Sequence, residues 1–488
     1  MAAVNAFWNP PAGSASIESA NQRQTRYDWY WKLAWNTAYD NLTAYVGVYP
    51  SGAKLYKYTR GLRNPLARWV DFYVANIWGG ILDMAAGNGH GTASALPIEC
   101  EDERLRPAIA RLWTWSNWNG KRALLTRYST SLGDAFIKVI DRPEKRRCYL
   151  QALYPGFVTE CQWDDFGNVK RVAIEYQATD DFGKSYTYKE LIEHPSVWGG
   201  TRTRFSTYRD GRPNSFDGQL PQWEVPYDFV PVVHIPWLDT GQNWGAVGFT
   251  ATLKKIDAAN ALASQLADQV GKAVNTPLVA YGIEQGNVTI AQSQDGVPIM
   301  YINKPPSEAD VKPLISDLNL EHGLKVLEGQ LEEVKNDMPE LRLSEALRSG
   351  MSGEAIGRAF SDVIAQIQAV RAHHDAGLVR AHMMGVAIAG ASGYHAAFQG
   401  YDLSSYGTGA LDHAIGARPV LPQSSEEVDE ALKRRWEMVG QAVTADVPLE
   451  TALRNILGWD DAKLADMGTA RLAAIALQQE DAVDGIAQ

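Results

Sequence analysis

The sequence predicts an α+β multidomain protein organised around one very long helix, and three observations carry that reading. From Ser352 to Gly390, apolar or small residues fall at Ile356, Phe360, Val363, Ile367, Val370, His374, Leu378, Ala381, Gly385 and Ile388, in steps of three and four. Held for about ten turns, this period predicts a rod of roughly 55 Å at ~1.5 Å per residue, where globular helices usually run three or four turns. Between Asp134 and Trp237 the pattern changes to alternation with period two, the mark of strands. Fourteen of the sixteen tryptophans precede Gly245 and none lies between Gly245 and Arg435, which sets an aromatic-rich N-terminal domain apart from a middle built on aliphatic helix contacts. A chain of 488 residues exceeds one hydrophobic core, so several domains are expected.

Residues 1–25 read as an extended arm containing Asn9-Pro10-Pro11. Helices are predicted over 26–44, 64–79 and 104–132. Pro65 suits a first helical turn, and Arg68, Trp69, Phe72, Tyr73 and Asn76 form a stripe behind it. Phe136–Ile140, Lys170–Tyr176 and Ser185–Tyr188 read as strands, with hairpin turns at Asp164-Asp165-Phe166-Gly167-Asn168 and Asp180-Asp181-Phe182-Gly183-Lys184. Arm and α/β unit together fill 1–245.

A helix over 246–274 follows, striped by Phe249, Leu253, Ile256, Ala263, Leu266 and Val270. A compact insert, 275–317, carries candidate strands at Pro277–Ile283, Pro298–Asn303 and Val311–Ile315. A returning helix, 318–338, has Leu320, Leu324, Leu327, Leu331 and Val334 at heptad-like steps, and Pro339 stops it. The loop 339–352 leads into the long helix, whose unit extends over 353–423. Ser424-Ser425-Glu426-Glu427 is a capping box opening a helical segment, 424–477, with further starts at Asp446-Val447-Pro448 and at Asp460 or Asp461. The polar tail 478–488 is expected to be disordered.

Composition narrows the function. The formal charge of -11 argues against a dedicated nucleic-acid binder, which would need a basic face. Ser424–Gln488 holds 13 acidic and 6 basic residues, so -7 of that charge sits in the last 65 residues. Such a surface still suits a protein that lets DNA pass without gripping it. Cys100, Cys148 and Cys161 lack metal-ligand spacing and fit free thiols in a reducing compartment. The N-terminus lacks the basic start and apolar core of a signal peptide, and the most apolar run, Met383–Ala391, is short of a membrane span. The expectation is a soluble protein made inside the cell.

Several motifs invite catalytic readings. Ile81-Leu82-Asp83-Met84-Ala85-Ala86-Gly87-Asn88-Gly89-His90-Gly91 resembles the first motif of S-adenosylmethionine methyltransferases, with Glu99, Glu101 and Asp102 near the place of a ribose-binding acid. That site needs a buried strand before Asp83, a helix after Gly91 and further alternating strands and helices, whereas a loop, a helix and a meander are predicted. Asp165-Phe166-Gly167 and Asp181-Phe182-Gly183 match the kinase metal-binding tripeptide but have no phosphate loop beside them, so both read as turns. His373, His374 and His382 share a helix without a carboxylate to complete a metal set, and read as buried or interfacial. No catalytic set, metal site or cofactor site emerges, and the chain is expected not to be an enzyme.

What remains distinctive is the order of parts: outgoing helix, small insert, returning helix, short loop, long helix, acidic helical end. With Asn336-Asp337-Met338-Pro339, Ser352-Gly353-Glu354-Ala355-Ile356-Gly357-Arg358 and Gly458-Trp459-Asp460-Asp461, this order resembles the bacteriophage portal (head-to-tail connector) family. The resemblance implies wing, stem, clip, tunnel loop and crown regions in a ring of about twelve copies at one capsid vertex of the virion, assembled in the host cytoplasm. Double-stranded DNA would pass through the ring on packaging and ejection. Its implied partners are terminase, the major capsid or scaffolding protein and a head-completion or tail adaptor protein, with no membrane. Stem packing then falls to Leu253, Ile256, Leu266, Leu324, Leu327 and Leu331. Clip contacts with a partner fall to Tyr281, Ile283, Tyr301 and Lys304. The channel-lining loop takes Arg342, Arg348, Ser349, Gly350 and Met351, with the two arginines near passing phosphates. A head-to-tail contact that closes yields such a ring. The other readings are a methyltransferase fused to a helical module and a helical scaffold or adaptor without a channel.

Overall fold

The computed structural model describes residues 19–35, 37, 64–78, 98–216, 218–241, 244–274, 278–281, 299–302, 305, 307, 320–343, 353–416, 418, 420 and 425–457. The chain divides into Met1–Leu421 and Pro422–Gln488. The glycine-rich segment 81–91 lies outside the described residues.

In the first unit, α1 (Ala20–Ala34) opens on a complete capping box in which Ser19 and Gln22 satisfy each other's backbone. It begins six residues earlier than the expected 26. In α2 (Leu66–Ile77) the buried face is Leu66, Trp69, Val70, Tyr73, Asn76 and Ile77, while Arg68 stays exposed. The predicted stripe is thus turned, because the aromatic rings rather than the arginine stem fill the core. Strand β1 (Ile98–Cys100) precedes α3 (Leu105–Ser116) and α4 (Trp118–Leu132). The single helix expected over 104–132 is broken at Asn117, which adopts φ 49° and ψ 44°. Asparagine tolerates this left-handed conformation, and the turn lets Leu112 and Trp113 before it and Leu125 and Leu132 after it reach one core.

The period-two region forms two antiparallel sheets. Strands β2 (Asp134–Arg142) and β3 (Arg147–Leu153) are joined on the other side of β2 by β10 (Val232–Pro236). Strands β4 (Val158–Trp163), β5 (Val169–Thr179), β6 (Ser185–Glu193) and β7 (Thr203–Arg209) make a meander, with β8 (Arg212–Pro213) and β9 (Gln222–Val225) on β7. Both kinase-like tripeptides are hairpin turns. Asp164 Oδ1 accepts from the Phe166 and Asn168 amides, and Asp180 Oδ1 accepts from those of Phe182 and Lys184. Gly167 and Gly183 both take φ 77°, which only glycine adopts freely.

The helix expected over 246–274, α5 (Leu253–Val274), starts seven residues later than the pattern suggests. The reason lies upstream. Gly245 is pressed against Gly133, where a Cβ would sit 2.1 Å from the Gly133 carbonyl oxygen, and its amide donates to buried Asp134 at 2.7 Å. Ala246 then bridges Leu238, so the backbone is already committed to extended pairing. Strands β11 (Leu278–Tyr281) and β12 (Ile299–Ile302) pair in parallel, and the third insert strand expected at 311–315 lies outside the described residues. The returning helix is α6 (Leu320–Asp337).

The long rod is interrupted once. Helix α7 (Gly353–Ala359) meets α8 (Ser361–Ala391) at buried Phe360, whose φ of -113° and ψ of 25° leave the helical region. Helix α8 still runs for 31 residues, about 46 Å at ~1.5 Å per residue. From Met384 to Ala389 it is buried on every side. Strand β13 (His413–Ile415) pairs with β1. The principal core contains aromatic residues from α1–α4 together with Val363–Ala389 of α8, so the tryptophan-rich half and the long helix share one core rather than forming separate ones. Among the described residues every sheet is antiparallel except the β11–β12 pair, unlike the alternating parallel fold that a methyltransferase site requires.

The second unit holds α9 (Ser425–Thr444) and α10 (Leu449–Leu457), close to the expected starts. Val439, Ala452 and Leu453 form their shared core. The third helix expected after Asp460 lies outside the described residues.

Candidate assembly and channel-loop site

Helices α5 and α6 lie side by side and antiparallel. Lys255 near the start of α5 pairs with Asp337 at the end of α6 at 2.7 Å, while Leu266 meets Gly323 near the other ends. A Cβ on Gly323 would stand 2.6 Å from Leu266 Cδ2, so glycine is what lets the two helices approach there. Ala259, Leu266 and Leu327 are buried in the seam, with Leu262, Ala263 and Leu331 partly buried around them. Leu253 and Ile256 are buried too, but in the principal core with Val334 and Met338. Leu324 departs from the expected stripe. It is 52% exposed, because Gly323 takes the contact position and turns the next residue outward.

At the inner end of this pair the chain turns sharply. Met338 is buried, and Pro339–Arg342 forms one 3-10 turn. The Glu340 side chain is buried, and Tyr73 of α2 donates its hydroxyl proton to Glu340 Oε1 at 2.5 Å. Burial pushes the Glu340 carboxyl above the usual carboxylate range, offset in part by the Tyr73 hydrogen bond. The same loss of water, with the carboxylate beside it, raises the Tyr73 hydroxyl. Glu340 Oε2 has no hydrogen-bond partner.

Arg342 is placed differently from the expectation. Its guanidinium donates to Glu332 Oε1 and to Asn336 Oδ1 (2.6 Å), both on α6. The first turn after α6 is therefore docked on two helices, on α2 through Glu340 and on α6 through Arg342. Arg348, Ser349, Gly350 and Met351 lie outside the described residues, as do Ile283 and Lys304 of the insert. Tyr281 and Tyr301 lie on β11 and β12, one register position apart.

Two arginines missing from the sequence reading hold the long helix against α2. Arg371 donates to the Asn76 carbonyl at 3.2 Å through Nε and to the Arg418 carbonyl at 2.8 Å. Arg418 donates to the Ile77 carbonyl at 2.9 Å and grips Asp375 with two bonds of 2.7 and 2.9 Å. Guanidinium groups thus satisfy the carbonyls left open at the C-terminus of α2. The sequence signal for Arg371 is a basic residue within the long helix, whereas Arg418 lies in the irregular stretch after β13 and carries none.

The three histidines also resolve. His374 and His382 are fully buried, while His373 is half-buried. His374 Nε2 lies 2.8 Å from Ser129 Oγ, and burial lowers its imidazole to about 4. His382 packs on Trp113 and His413. Among the described residues no cluster of three His, Cys, Asp or Glu side chains is placed to hold a metal ion. Cys100, Cys148 and Cys161 are free thiols. No described helix is long and apolar enough to cross a membrane.

No family model and no curated protein matches this sequence. Among solved structures, a chain from the neck of an empty gene transfer agent particle, computed with C6 symmetry, aligns at 12% identity and a TM-score of 0.35, covering 82% of this chain and 93% of that one. A chain from the virion of the native gene transfer agent particle aligns at 12% identity and a TM-score of 0.31, covering 81% and 93%. Likeness of this degree assigns neither fold nor function to this chain.

Proposed function

We propose that this chain is a portal subunit: one of about twelve copies in a ring at a capsid vertex, whose axial channel conducts double-stranded DNA during packaging and ejection. The observation that supports this most is the antiparallel pair α5–α6 with its two ends put to different use. One end carries the insert 275–317, and the other carries a loop whose base is clamped by Tyr73 before the chain enters α7 and α8. An insert between the two helices suits docking of terminase or a head-completion protein. A loop fixed at its root suits a channel lining.

Exposed Leu324 and Val326 on α6 supply apolar surface for a neighbouring copy. The chain supplies no catalytic step in this reading. It conducts DNA that a separate motor moves, and its net charge of -11 limits adhesion to phosphates. Mass photometry tests the proposal at micromolar concentration. A species near twelve subunits is expected, and a strictly monomeric protein contradicts it.

A further inference from the structure

The chain's net charge of -11 conceals a local excess of the opposite sign. Between Leu105 and Leu153, the span of α3, α4, β2 and β3, there are 10 Lys and Arg against 3 Asp and Glu, a net of +7. Two of the three carboxylates are taken up inside the fold. Asp134 accepts from Tyr27, His234 and the Gly245 amide, and Asp141 accepts from Tyr227 at 3.0 Å and Tyr394 at 2.7 Å. Salt at about 0.1 M screens exposed charges beyond ~10 Å, so a ligand meets the field of this block rather than the chain's total.

The excess is concentrated at the β2–β3 hairpin. Its tip, Arg142-Pro143-Glu144-Lys145-Arg146-Arg147, holds four cations and one carboxylate. Lys145, Arg146 and Arg147 are all exposed. Arg142 and Arg147 are cross-strand partners, so two like charges stand side by side on one face, an arrangement that costs stability when no anion lies between them. Glu144 offsets this weakly, at 3.8 Å from Arg142. Arg146, at φ 49°, folds back and donates to the Gly393 carbonyl at 3.1 Å, which fixes the tip beside the end of α8 without neutralising it. Tyr149, two residues along β3, shares the face of Arg147, and Lys121 of α4 stands 5.8 Å from its ring centre. Among the described residues Lys121, Lys145 and Arg147 face no carboxylate.

The surroundings select the ligand. Strand addition by a peptide is opposed at this part of β3, because the Leu150 amide already donates to Ser116 Oγ at 2.8 Å. Asn119 and Gln151, two positions from Lys121 and Tyr149 in the chain, are exposed and polar, which suits a charged ligand better than an apolar one. Cations held on a rigid hairpin and a helix match the evenly spaced phosphates of a duplex, which such groups bind without reading sequence. We infer that the β2–β3 tip binds the phosphate backbone of double-stranded DNA through Arg142, Lys145 and Arg147, with Lys121 of α4 as a fourth contact. This surface is separate in the chain from the loop 339–352. It needs no ring, so the inference stands apart from the portal proposal.

The test follows binding of a fluorescein-labelled duplex of about 24 base pairs to the full chain by anisotropy, from about 50 to about 200 mM salt. Four phosphate contacts predict a log–log slope of about -3.6, at ~0.9 per contact. Lys145→Glu with Arg147→Glu should weaken binding about tenfold or more and reduce the slope by about 2. Arg147→Glu also turns a like-charge pair into an opposite one, so the melting temperature of this variant should hold or rise. Lys121→Glu, on a different element, should reduce the slope by about 1. Arg202→Glu with Arg212→Glu makes the same charge change on exposed arginines outside the block, and should leave affinity within about twofold. Mass photometry checks that every variant keeps the wild-type assembly state. No binding at the lower salt, or equal losses in the two double variants, overturns the inference. Poly-glutamate that competes as strongly as unlabelled duplex at equal charge would mark a site for acidic protein. Tighter binding of a single strand of the same length would mark a base-stacking site around Tyr149. Either result overturns the assignment to duplex DNA.

Discussion

His382 Nδ1 lies 3.1 Å from His413 Nε2, and the partners of the two rings fix which nitrogen carries each proton. His413 Nδ1 faces the Leu411 carbonyl at 2.8 Å and must donate, leaving its Nε2 as an acceptor. His382 Nδ1–H therefore donates to it, and His382 Nε2 accepts from the Trp113 indole at 2.7 Å. The row of donors runs from α3 through α8 to β13 with both imidazoles neutral. A further proton on either ring would set two donors against each other.

This arrangement predicts acid lability of the first unit. Burial lowers the imidazoles of His374 (to about 4), His382 and His413, offset only in part by the Val370 carbonyl at His374 and by the Leu411 carbonyl and Asp412 carboxylate at His413. A base whose folded pKa is depressed is protonated more readily in the unfolded chain, so the unfolded state binds the extra protons. Stability from these three groups is complete above about pH 6.5, the ordinary histidine value, and falls as pH drops toward about 4. Denaturant melts at pH 7.5, 6 and 5 should show a falling midpoint, and His374→Gln with His382→Gln should flatten the slope. An unchanged slope in that variant contradicts the assignment.

Tyr73 and Glu340 hold the root of the 343–352 loop. Removing the phenol hydroxyl leaves a buried carboxyl without its donor, at a cost of about 1–3 kcal/mol. Tyr73→Phe should destabilise by that amount and speed proteolysis within the loop. Pairing it with Glu340→Gln should recover part of the loss, since an amide is less costly to bury than a carboxylate. Additive losses in the double variant would mean that the two side chains do not act together.

Leu324 separates folding from assembly. Its exposed position means that Leu324→Glu should change monomer stability by no more than ~0.5 kcal/mol. The same change should dissolve the ring if α6 packs against a neighbouring copy. Leu266→Ala, by contrast, empties a buried seam position and should cost about 2–5 kcal/mol in either state. Mass photometry beside thermal melts distinguishes the two outcomes.

The arginines of the proposed tunnel loop should behave unequally. Arg342→Glu places a carboxylate beside Glu332 and should loosen the loop root without a specific effect on DNA. Arg348→Glu should leave assembly intact and reduce the length or retention of packaged DNA, a weak and salt-sensitive effect per contact. Normal packaging in Arg348→Glu particles would remove that residue from the channel.

Local patterns carried much of the secondary structure because the competing forces were local. The hairpins at Asp164 and Asp180 are set by an aspartate, a glycine and period-two flanks, all within five residues. Helix starts at 253 and breaks at Asn117 and Phe360 were hidden because long-range packing decides them: Gly133 against Gly245, and Phe360 turned into the principal core. The same holds for Arg342, whose partners Glu332 and Asn336 lie on the preceding helix. Tyr73–Glu340, separated by 267 positions, left no mark in either local pattern.

The central claim is a ring with an axial opening, and class averages of negatively stained particles viewed down their axis test it most directly. The account predicts closed rings of about twelve subunits around a stain-filled channel wide enough for duplex DNA. Compact particles without a central opening, or open filaments that never close, would contradict it.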